Sequence, residues 1–173
     1  HMSQEPFANG YHDFSDEALD AAAFCYADSN TMYLLKQETL AGDYAAALAR
    51  LASPEVPKIA HDTKTLMRRL LEHYPDCGGF VFDTAVAAYL LDATRGKYEL
   101  SRVTADYLHF TPATETEFPQ ETILAIETSC VEGLHEIFAQ KLREQGMEKL
   151  FLEIELPLCE VLARMEATGV HVD

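Results

Sequence analysis

Two strand-then-helix units, one directly after the other, constrain this chain more than anything else in it. Pro57-Lys58-Ile59-Ala60-His61 reads as a short strand, and Asp62 as the N-cap of a helix whose apolar positions Leu66, Leu70 and Leu71 recur at helical spacing. Gly78-Gly79 then breaks the chain. Phe80-Val81-Phe82 reads as a further parallel-type strand, after which Asp83-Thr84 caps the helical run Ala85 to Leu91. This order, β-α-β-α, points to an α/β layer.

Around that centre the pattern changes character. Ala21 to Ala27 and Thr31 to Lys36 are short apolar runs joined by Asp28-Ser29-Asn30, turn chemistry between two antiparallel strands. Tyr44 to Leu51 has helical spacing and is ended by the Ser53-Pro54 step. From Glu99 onward the chain reads as helical. The spacing predicts a helix over Glu99 to Phe110, another from Pro119 to about Gln145 stopped by Gly146, and a last one from Lys149 to Thr168 stopped by Gly169. Residues 3–20 carry Pro6, Asn9 and Gly10 without sustained periodicity and read as an irregular lead-in. His1-Met2 reads as the residue of a cleaved affinity tag. The expectation is a mixed sheet flanked by helices, with a helical C-terminal half.

Composition narrows the functions available. At 173 residues, 48% of them hydrophobic, the chain is long enough for one domain with a full core and too short for two comfortable ones. Its 13 Lys and Arg against 29 Asp and Glu leave a formal charge of −16, which repels a polyanion at long range, so weak DNA binding by the isolated chain is expected. Only weak hints of a basic contact occur, such as Arg68-Arg69 and Arg95-Gly96-Lys97, and charge pairs on solvated helix faces explain them equally well. The nucleic-acid-binding residues are therefore left unassigned. Cys25, Cys77, Cys130 and Cys159 form no CxxC pair, which encodes neither a zinc knuckle nor a thioredoxin-type site; buried free thiols are expected. His61, His73, His109 and His135 share no ligand spacing and read as surface or packing histidines. No membrane-length apolar stretch and no signal-like opening is present, so a cytoplasmic location, no membrane partner and a monomeric isolated domain are expected.

Four ordered segments carry a family resemblance. Lys58-Ile59-Ala60-His61-Asp62-Thr63-Lys64, the block Phe82 to Asp92, and Gly96-Lys97-Tyr98-Glu99-Leu100 resemble successive landmarks of the 3'-5' exonuclease domain of family A DNA polymerases, the group of bacterial DNA polymerase I. Phe151 to Leu158, followed by Leu162, Met165-Glu166 and Gly169 to Asp173, is similar to the helix that leads from that domain into the polymerase domain. The resemblance implies a ribonuclease H-like (DnaQ-like) α/β fold. It divides the chain into an exonuclease-like domain over 21–148 and a connecting helix over 149–173, with the polymerase domain beyond.

The chemistry implied by the resemblance is two-metal phosphodiester hydrolysis, in which carboxylates hold two divalent ions that activate water and stabilise the leaving oxygen. Active members bring an Asp-x-Glu on the first strand, an Asp after the second motif, and a Tyr-x-x-x-Asp on a later helix. In this chain the second-motif aspartate falls at Leu66, and the Tyr and Asp of the third motif at Leu124 and Thr128. No Asp-x-Glu occurs among residues 3–36; the strand that should carry it is either missing or a much altered remnant in Tyr11 to Leu19. Asp62 and Asp83 read as helix caps rather than displaced ligands, and Glu127, one residue before Thr128, could replace a single ligand at most. The expectation is an inactive, degenerate exonuclease domain with no catalytic residues, no metal ligands and no cofactor; Mg2+ or Mn2+ would enter only if the exonuclease were active. It would serve as a structural module of a replication and repair polymerase, its partner being the polymerase domain of the same parent, a DNA-directed DNA polymerase that reaches DNA for both. The alternatives are an active proofreading exonuclease with relocated ligands and an acidic protein-interaction module.

Overall fold

The computed structural model describes residues 6–8, 21–26, 31–112 and 118–169. Five strands form one sheet in the order β3-β2-β1-β4-β5. The hairpin read from the sequence is β2 (Ala21–Tyr26) and β3 (Met32–Lys36), paired antiparallel with Ala23 opposite Leu34. Its turn, residues 27–30, lies outside the described residues. The two strand-helix units are β4 (Lys58–Ala60) with α3 (Thr63–Leu71), and β5 (Phe80–Asp83) with α4 (Thr84–Leu91); β4 and β5 are parallel.

Between these two halves lies β1, Pro6–Ala8, antiparallel to β2 and parallel to β4 through Phe7 and Ile59. The irregular lead-in expected over 3–20 therefore contains the central strand of the sheet. Three residues cannot display a period of two, and Pro6 and the following Asn9-Gly10 read locally as turn chemistry; the strand exists because both of its edges are paired. Tyr11 to Leu19 lies outside the described residues.

Helices cover both faces. On one side, a short turn α1 (Gln37–Leu40) leads into α2 (Tyr44–Ala52), whose Tyr44, Leu48 and Ala52 pack with Met67 and Leu70 of α3. On the other, α4, α5 (Leu100–Leu108) and the long α6 (Gln120–Glu144) build the main core. The apolar positions of α6 recur three or four apart, and Leu134, Phe138 and Leu142 are almost wholly buried against Ile59, Phe82 and Val103. Phe82 lies 4.6 Å from the ring of Phe151, and Tyr107 meets Phe138 edge-on at 4.7 Å.

The last helix is interrupted. α7 (Glu148–Leu150) passes into a π-helical turn, Phe151–Glu155, and only then into α8 (Leu156–Thr168). Pro157 has no N–H to give to a carbonyl one turn back, and its ring crowds that carbonyl, so widening the preceding turn relieves the clash. The helix ends at Gly169 with φ +74°, as its glycine stop implies.

Candidate functional site

The turns after β4 and β5 lie side by side, and one carboxylate organises both. Asp83 is 1% exposed, and its two oxygens accept five hydrogen bonds. Oδ1 accepts from the backbone N–H groups of Asp62 at 3.1 Å, Ala85 at 2.8 Å and Val86 at 3.2 Å. Oδ2 accepts from the Thr63 N–H and the Thr63 hydroxyl, each at 2.7 Å. Asp83 thus caps its own helix α4, as the sequence suggests, and also the first turn of α3. Helix N-termini present unpaired N–H donors and a positive dipole end, and a buried carboxylate answers both.

Asp62 completes the turn in an unusual conformation. Its φ of 53° is left-handed, a region Asp tolerates better than most residues, while its side chain accepts from Thr65 N at 3.3 Å. Beside it, His61 is buried and bonded through both ring nitrogens. Nε2 lies 2.7 Å from the carbonyl of Tyr98 and can only donate there, so Nδ1 accepts from the Thr84 hydroxyl at 2.8 Å. Burial holds the imidazole below its ordinary pKa, with Asp83 and then the Tyr98 contact and Asp62 opposing, which favours the neutral ring. The Gly96-Lys97-Tyr98 segment is thereby tied to the two turns. Its far end is tied as well, since Tyr98 donates to the Asp92 carbonyl at 2.8 Å and Arg95 bridges Asp92 and Asp106.

The positions that the resemblance assigns to metal ligands carry different chemistry. Leu66 packs at the edge of the α2-α3 cluster. Leu124 is buried and lines an open cavity of about 510 Å³ together with Lys36, Glu38 and Glu121, where Lys36 bridges the two carboxylates. Thr128 is fully buried and gives its hydroxyl to the Leu124 carbonyl at 2.8 Å, one turn back. The first described strand, β1, is Pro6-Phe7-Ala8 and contains no carboxylate. Glu127 is half-buried on α6. An aliphatic pair, a hydroxyl bound to backbone and an apolar strand do not fit a pair of hard divalent ions. Among the described residues no three His, Cys, Asp or Glu side chains converge as a metal site.

The other histidines and the cysteines fall where a packing role puts them. His135 is half-buried with its ring edge-on to Phe82 at 4.6 Å, His73 is exposed beside Tyr74, and His109 closes α5 in a left-handed conformation. Cys25, Cys77 and Cys130 are buried free thiols, and Cys159 is half-buried. Of the basic pairs, Arg95 is spent on Asp92 and Asp106, and Lys97 stands 3.5 Å from Glu99.

What sequence reasoning missed is the reach of Asp83 and His61. Each looked local, a cap and a packing residue. The signal available was the repeat of an aspartate after each parallel strand, which places two caps at adjacent turns.

Fold and site together define a mixed α/β domain whose adjacent strand-to-helix turns share one carboxylate. No family model matches the chain. It is 30% identical over 167 residues to DNA polymerase I of Mycobacterium tuberculosis, covering 88% of this chain and 18% of that protein. DNA polymerase I of Bacillus subtilis is 30% identical over 132 residues, 69% of this chain and 15% of the relative. Among solved structures, the POL domain of Pol1 from M. smegmatis, in complex with DNA primer-template and dNTP, matches with a TM-score of 0.79 and 29% identity, over 98% of this chain and 29% of that one. The chain belongs to the DNA polymerase I family, as a domain derived from it. It spans less than a fifth of the length of these two curated relatives.

Proposed function

We infer that the chain is the 3'-5' exonuclease-like domain of a DNA polymerase I, with a ribonuclease H-like fold and a silent nuclease site, acting as a structural module of a replication and repair polymerase. The strand order β3-β2-β1-β4-β5, with β2 antiparallel to its neighbours, supports the fold. The observation that carries the silent site is the occupancy of the ligand positions: Leu66, Leu124, Thr128 and a first described strand of Pro-Phe-Ala offer no carboxylate. Asp62 and Asp83 do not substitute. The Asp83 oxygens are consumed by five donors, and Asp62 caps α3.

On this reading the work of the turns is architectural. They fix α3, α4 and the 96–98 segment relative to one another and so keep the module rigid. DNA is handled by the parent polymerase in the cytoplasm, and the domain acts there as a monomeric part of one polypeptide. The test is a gel assay on single-stranded and mismatched DNA with magnesium or manganese, for which no 3'-end degradation is expected. Degradation that is abolished by Asp62→Asn or Glu127→Gln would establish the active alternative with relocated ligands instead.

A further inference from the structure

We draw no further inference here: the strongest candidate, the open cavity of about 510 Å³ between the end of β3 and the start of α6, belongs to the site already described through Leu124, and its carboxylates Glu38 and Glu121 are already paired with Lys36, with nothing else in its lining that points to a ligand.

Discussion

Asp83 is the residue on which most local geometry depends. A buried carboxylate with five donors is stabilising because every lone-pair direction is used, and it becomes a liability if one oxygen turns into a donor. In Asp83→Asn the amide nitrogen must face either the Thr63 N–H and hydroxyl or the N–H groups of Asp62, Ala85 and Val86. Either choice leaves at least one buried backbone N–H without an acceptor. The expected loss is about 2 to 4 kcal/mol, read as a lower urea midpoint with unchanged slope. A loss below about 1 kcal/mol would mean that water replaces the missing acceptor. The role of Asp83 as the cap of α4 was legible in Phe-Asp-Thr. Its grip on α3 was not, because that depends on β4 and β5 being parallel neighbours with Ala60 opposite Asp83, a register no local pattern encodes.

At the scale of elements, the strand-helix units and the long C-terminal helices could be read from spacing and caps, because their periodicity extends over enough residues to be counted. β1 could not, since a three-residue strand is defined by its neighbours, and the π-helical turn could not, since its apolar spacing looks helical. The positions that the resemblance assigns to metal ligands, Leu66 above all, were read from residue identity alone. The Gly78-Gly79 break sits between these cases. Both glycines signalled a turn, yet only the structure separates their duties. Gly79 has φ +78°, and a Cβ there would lie 2.7 Å from the Val56 carbonyl oxygen, 2.8 Å from that of Pro54 and 3.0 Å from Lys58 Nζ. Lys58 itself is buried, binds the Ser53 and Gly78 carbonyls and sits 4.9 Å over the Phe80 ring, with burial pushing its pKa down to about 8. The loop before β4 and the loop before β5 are thus locked through one ammonium. Gly79→Ala should cost about 3 kcal/mol or more through both φ strain and collision, lowering the melting temperature by roughly 5 to 10 °C. Gly96→Ala, where nothing lies within 4 Å of the added Cβ, is the control and should shift it by no more than about 2 °C.

For the molecule as a whole, charge decides what the isolated domain can do near DNA. A nucleic-acid groove needs Lys and Arg gathered on one face, and the cations here are largely committed to carboxylates. Arg95 bridges Asp92 and Asp106, Lys36 bridges Glu38 and Glu121, Lys64 meets Glu166, and Arg164 meets Glu160 while holding α8 to the 75–77 loop. Exposed pairs of this kind add little stability, yet each one subtracts a positive charge from the field that phosphates would feel. With a net charge of −16 the remaining field is repulsive, so fluorescence anisotropy with a single-stranded oligonucleotide at physiological salt should give a Kd on the order of micromolar or weaker. Raising salt screens attraction and repulsion alike, and the sign of its effect is therefore informative. A few local phosphate contacts would make binding fall as salt rises, whereas uniform repulsion would leave it undetectable throughout. Submicromolar affinity at physiological salt would require a basic face that these ion pairs do not leave, and would replace the proposed supporting role with one of holding nucleic acid.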